Sequence, residues 1–287
     1  MIIITGANGQ FGRAVAERLL ERVPAERIGV SVRDLEKARD LEGRGVRVRR
    51  GDFDDAASLA HAFEGASRVL IVSVNSHGET AVRQHRAAIE AAKAAVGRRI
   101  LYTSHMGANP ASSFAPMVDH AATEAALQDA GVPFTALRNG FYADSAAYLL
   151  GAALQTGELA VPEDGPVAWT TPADLAEAAA IALTEDSFDG VSPDLTASEA
   201  VDMAGVAAIA ADLTGRPIRR VVVSDAEYRA GLVAHGVPAP AADMFLGLFA
   251  ASRQGDFTHV DPTLARLLGR PPMPVRDVLK AAIPPVG

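Results

Sequence analysis

The chain has 287 residues, of which 49% are hydrophobic, with a formal net charge of −8 and no cysteine. It is long enough to bury a full core in one large domain or two small ones; disulfides, thiol catalysis and thiolate metal sites are excluded, and the negative charge opposes phosphate backbones, so no nucleic-acid partner is expected. The apolar opening "MIIIT" is too short for a signal or a membrane span, and the seven histidines form no zinc-protease pattern, so the expectation is a cytoplasmic protein with no membrane partner and no metal.

In chain order, "MIIIT", "RIGVSV", "VRVRR", "RVLIVSV", "RRILYTS" and "PFTALRN" read as strands, and the longer amphipathic stretches between them read as helices. Within "RGVRVRR", residues 44–50, Val alternates inward and Arg outward, the pattern of a strand with a solvated outer face. The stretch 114–131 reads as one helix. Beyond about residue 140 the rhythm loosens into Pro-containing turns and Ala-rich helices. There "DLAEAAAIALTED" is helical, a strand near 190–196 is expected to return to the main sheet, and "PIRRVVVSDAEYRAGLV" reads as strand then helix. Strict alternation implies right-handed βαβ units. The expected fold is α/β: a Rossmann-type doubly wound parallel sheet over 1–140, with a smaller mixed α/β substrate region over 141–287.

Directly after the first strand, "TGANGQFGRAVAERLL" places Gly6, Gly9 and Gly12 ahead of a helix opening at about Gln10. Glycines let the backbone turn tightly against a pyrophosphate, and the helix start offers free N–H groups and a positive dipole. The loop residues Gly6, Asn8, Gly9, Gln10, Phe11 and Gly12 are therefore cofactor candidates; Phe11 has no obvious core partner and is placed to cover the nicotinamide or the substrate. At the end of the second strand, Arg33 and Lys37 offer partners for a 2′-phosphate where an NAD enzyme would carry an acid, which favours NADPH. After the third strand, Asp52 and Phe53 fall where an adenine would lie; Asp52 either accepts from the adenine amino group or caps the helix at 55–64.

These motifs, with "DHAATEAAL", "FTALRNGFYAD" and the closing "GDFTHVDPTLARLLGRPP", resemble the NmrA-like group of atypical short-chain dehydrogenases, most of all its quinone-oxidoreductase branch. The resemblance covers nearly the whole chain. It implies a Rossmann domain carrying NADP, a C-terminal region closing the substrate cleft, and loops at Ser73, Val74 and Asn75 and at Asn139 to Phe141 bordering the nicotinamide. Where ordinary short-chain dehydrogenases carry Tyr-x-x-x-Lys, this helix carries His120-x-x-x-Glu124.

Without that tyrosine the proton becomes the question. A reduced ketone leaves an alkoxide with a conjugate-acid pKa near ~16, a reduced quinone a phenolate near ~10. The difference is about six units, or roughly 8 kcal/mol. Quinones and related aromatic, conjugated carbonyl compounds are therefore the expected small-molecule substrates, reduced by direct hydride transfer. His120, Ser104 and Tyr142 are the catalytic candidates: His120 as a hydrogen-bonding wall or as an acid in a relay oriented by Glu124, Ser104 and Tyr142 as donors polarising a carbonyl. A ketoreductase for a bulky polyketide-like aromatic and a non-catalytic NADP-binding redox sensor stay open as alternatives, as does a homodimer.

Overall fold

The computed structural model describes residues 1–95, 97, 99–186, 188 and 191–283. The first half unfolds as strand and helix in alternation: β1 (Ile2–Thr5), α1 (Gln10–Leu20), β2 (Ile28–Val32), α2 (Arg39–Gly43), β3 (Arg47–Arg50), α3 (Ala56–Phe63), β4 (Arg68–Ile71), α4 (Glu79–Ala95), β5 (Arg99–His105), α5 (Ala115–Asp129) and β6 (Phe134–Asn139). The second half adds β7 (Phe141–Tyr142), α6 (Asp144–Leu150), α7 (Ala153–Thr156), β8 (Glu158–Val161), β9 (Trp169–Thr170), α8 (Pro172–Thr184), β10 (Asp194–Leu195), α9 (Met203–Thr214), β11 (Arg219–Val222), α10 (Asp225–Ala234), α11 (Ala239–Arg253), α12 (Thr263–Leu268) and α13 (Val275–Ala282).

Among the described residues the main sheet has seven parallel strands in the order β10-β6-β5-β4-β1-β2-β3. Strands buried on both faces need apolar, β-branched runs, and β1 and β4 are buried throughout. One face is covered by α1 and α8 with α12, the other by α3, α4 and α5. The doubly wound fold expected from the alternation is present. The strand expected near 190–196 is β10, paired with β6 at Asp194 opposite Arg138; residue 190 and, in "RRILYTS", residue 98 lie outside the described residues.

A third core gathers Met117 with side chains of α6, β8, α9, α11 and α13, and it buries Trp169, whose indole N–H donates to Val201 O at 2.8 Å. Its strand β8, which the sequence reading passed over, pairs in parallel with β11. Arg50 of β3 faces solvent as expected, but the other two arginines of the strand are only partly exposed and bonded. Arg47 donates to Glu64 O and Ala62 O at 2.8 and 2.9 Å, and Arg49 to the Glu64 carboxylate at 2.7 Å, so they satisfy the carbonyl end of α3.

Candidate active site

The strand ends of β1, β2, β4, β5 and β6 converge where a doubly wound sheet opens its ligand crevice. From β1 the chain turns through Gly6 into α1, whose N-cap Gly9 has no capping side chain, so the N–H groups of the first turn are left for a ligand. Gly12 holds the helix against the turn: a Cβ there would stand 2.6 Å from Gly6 O and 3.0 Å from Ala7 N. The Asn8 amide donates to Asp34 O at 2.8 Å and ties the loop to the segment after β2. Arg33, on that segment, is exposed and has no hydrogen-bond or ion-pair partner among the described residues, while Lys37 stands 3.9 Å from Asp34. An unbonded helix start, a glycine contact and an unpaired cation fit a dinucleotide carrying a 2′-phosphate.

Beyond this loop, Ser73, Ser104, His105, His120, Asn139, Phe141 and Tyr142 line one cavity of about 200 Å³. The loop leaving β4 borders it and is pinned by side chains from three elements. Val72 N donates to Thr5 Oγ1 at 2.8 Å, Ser73 N to Thr103 Oγ1 at 2.8 Å, and Val74 N to His85 Nε2 at 3.1 Å. These bonds end β4 at Ile71, short of the expected "RVLIVSV", because the next three N–H groups leave the ladder. Because His85 accepts at Nε2, its proton sits on Nδ1, which donates to Thr123 Oγ1 at 2.9 Å.

Burial lowers His85 to about 3, with repulsion from His120 adding to it, and burial lowers His120 to about 4. His105 is likewise driven well below the ordinary range by burial, then by His120. All three imidazoles are therefore neutral near pH 7. Nδ1 of His105 accepts from Gly107 N at 3.1 Å, and Nδ1 of His120 lies 2.8 Å from the Tyr102 hydroxyl. Burial also pushes Tyr102 upward, so that phenol keeps its proton.

Glu124 bonds elsewhere. Its Oε1 accepts from Ser104 Oγ at 2.5 Å and Arg138 Nε at 3.0 Å, its Oε2 from Arg138 Nη2 at 2.6 Å. The expected alternative of a relay through Glu124 to His120 is not formed. Arg138 sits opposite Ser104 in the register of β5 and β6, and its bidentate charged grip outcompetes a neutral imidazole. Ser104 is corrected with it: its proton is committed to Glu124, so toward the cavity it is an acceptor, not a donor polarising a carbonyl.

Residues 6–186 match the family model described as NAD(P)H-binding. The chain belongs to that NAD(P)H-binding family. It is 36% identical over 272 residues to quinone oxidoreductase 2 of Escherichia coli, covering 94% of each chain. The crystal structure of NADPH-dependent quinone oxidoreductase from Escherichia coli complexed with NADPH matches with a TM-score of 0.93 at 34% identity, over 98% of this chain and 99% of that one. That of Citrobacter sp. triphenylmethane reductase complexed with NADP(H) gives 0.92 at 32% identity, over 99% and 100%. The NmrA-like, quinone-oxidoreductase resemblance read from the sequence is borne out.

On this NAD(P)H-binding fold the remaining expected residues fall as follows. Phe11 has a core partner after all: it is 9% exposed, packs into the core under α1, and stacks on Tyr142 with ring centroids 6.2 Å apart. Tyr142 is 36% exposed, and its open edge looks into the cavity. Asp52 is not the helix cap. Asp55 caps α3 by accepting from Ser58 N at 3.1 Å, and Asp52 accepts from Asp54 N at 3.1 Å. Phe53 packs, half-buried, against the α3–α4 core. At Gly140 a Cβ would fall 2.1 Å from Thr170 Oγ1, so only glycine lets β6 pass between β9 and β10 toward Phe141. Sequence reasoning missed His85, Thr5, Thr103 and Arg138. Only Arg138, inside the "LRNGFY" motif, carried a local signal: a charge at the end of an apolar strand.

Proposed function

We propose that this protein reduces quinones, or related aromatic conjugated carbonyl compounds, with NADPH and without a strong protein acid. The observation that carries the reading is that His105 and His120, which line the cavity, and His85 behind it are held neutral by burial, while Glu124, which accepts from Ser104, is tied to Arg138. Such a site offers no imidazolium at pH 7, and a quinone needs none, because its reduced oxygen is a weak base. The name of the Escherichia coli relative supports the same substrate class.

The glycine loop would hold NADPH, which would supply the hydride, with solvent giving the proton that completes the two-electron reduction. We assign the bond between the Tyr102 hydroxyl and His120 Nδ1 with the phenol as donor, which puts the imidazole proton on Nε2 and makes His120 a neutral hydrogen-bond donor toward the acceptor oxygen. Ser104 and the buried, unpartnered Oδ1 of Asn139 offer acceptors to the N–H and O–H groups of bound molecules. Phe141 and Tyr142 supply aromatic walls for a planar ring. Arg33 and Lys37 would hold the 2′-phosphate.

The test follows loss of reduced-nicotinamide absorbance against simple quinones and then simple ketones. Quinones turn over and ketones do not. Ketone turnover at quinone rates would sink the reading in favour of a ketoreductase, and tight NADPH binding with no turnover of either would make the protein a sensor.

A further inference from the structure

A second cavity of about 370 Å³ lies between α6 and α11 and shares Phe114, Phe141 and Ser145 with the first. The two are thus adjoining parts of one cleft. Apart from Asp144, the rest of its wall is apolar, from Leu149, Met244 and Leu248 to Tyr148 and Phe245, which stack with planes 13° apart. Tyr148 is 70% exposed, a large aromatic surface left uncovered. One charged group lines this cavity. Asp144, in the first turn of α6, is exposed and has no hydrogen-bond or ion-pair partner among the described residues.

We propose that the acceptor is an extended molecule whose reducible ring occupies the cavity of His120 and Tyr142 while an apolar arm, a fused ring or an alkyl chain, fills the cleft between α6 and α11. In this proposal, which rests on the reductase reading above, Asp144 admits neutral or cationic arms and rejects anionic ones. The cavity's size and lining argue for an arm, because a small bare quinone leaves the second cavity to water against apolar walls. Each methylene buried there should improve affinity by roughly fourfold. An anionic arm would approach the unpaired Asp144 carboxylate at the mouth of the cleft and be repelled, a repulsion that salt weakens because Asp144 is exposed. As a helix-start residue Asp144 also suits the dipole of α6, but that role is indifferent to what lies in the cleft.

The test compares kcat/KM with NADPH for 1,4-benzoquinone, 1,4-naphthoquinone, a decyl-substituted benzoquinone and a naphthoquinone sulfonate, using the full chain. The arm-bearing neutral quinones should exceed benzoquinone at least tenfold, and Met244→Trp, which fills the cleft, should bring that ratio close to one. The sulfonate should fall at least tenfold below naphthoquinone, and Asp144→Asn should recover most of the difference. Equal values across the series, or ratios indifferent to both substitutions, would overturn the proposal. If no quinone turns over, the reductase reading fails separately, and calorimetric binding of the same series to the NADP⁺-loaded protein decides the cleft: the same order of affinities supports it and equal affinities overturn it.

Discussion

Arg138 holds both carboxylate oxygens of Glu124, through Nε at 3.0 Å and Nη2 at 2.6 Å, and so joins the end of β6 to α5. With Ser104 also donating to it, the carboxylate organises the floor of the cavity and does not orient an imidazole. Glu124→Gln removes the charge from a half-buried pair, so the protein should lose about 1–3 kcal/mol of stability in urea denaturation. Quinone turnover should fall less than tenfold, with an unchanged pH profile. A loss of several hundredfold in kcat would restore the relay.

Tyr102 acts, on this reading, only through His120. Tyr102→Phe should lower kcat by no more than about tenfold (~1.4 kcal/mol) and leave KM and NADPH affinity close to native. His120→Ala should cost a similar factor. In the His120→Ala background, Tyr102→Phe should then cost nothing more in kcat. Additive losses would make Tyr102 a structural support alone.

Neutral imidazoles also set a stability profile. His85 and His120 stand at about 3 and about 4 in the folded chain, below the ordinary 6.5, so between these values the unfolded chain binds more protons. Their contribution is fully present above about pH 6.5 and is lost as the pH falls toward their folded values, by up to about 1.4 kcal/mol per unit for each. Urea midpoints at pH 7, 6 and 5 should fall in that order, while turnover from pH 6.5 to 8 should show no histidine ionisation. Midpoints that hold steady to pH 5 would mean that the imidazoles are already charged in the fold.

Gly9 and Gly12 should separate binding from folding. A Cβ on Gly12 meets backbone at 2.6 Å, and neither partner can step aside, so Gly12→Ala should cost about 1–3 kcal/mol of stability. At Gly9 the nearest atom is 3.3 Å away, and the added methyl stands at the helix start where phosphate must approach. Gly9→Ala should therefore cost less stability than Gly12→Ala while weakening NADPH at least tenfold by calorimetry. Native NADPH affinity in that variant would show the loop to be only a turn.

Arg33, unpaired and exposed beside the loop, should distinguish the two nicotinamide cofactors. NADPH should bind at least tenfold more tightly than NADH, about 1.4 kcal/mol. Arg33→Asp should weaken NADPH and spare NADH; equal weakening of both would make Arg33 structural.

The sequence by itself determined the alternation of strand and helix, hence the parallel sheet, and the glycine turn into α1 with a cation after β2. Those signals are local: a period of two or 3.6, a glycine where backbone crowds backbone, a charge at a strand end. Helical spacing likewise put His120 and Glu124 on one helix, but spacing says which face a residue occupies and not what stands across from it. Tertiary structure decided the rest. Arg138 claimed Glu124 because β5 and β6 pair in a register set by the whole sheet. Thr5, Thr103 and His85 pin the loop at Val72 to Val74 from three separate elements. His120 lost its proton to burial under neighbours far away in the chain, since hydrogen-bond partners and local dielectric belong to the folded surroundings of a residue and not to its place in the sequence.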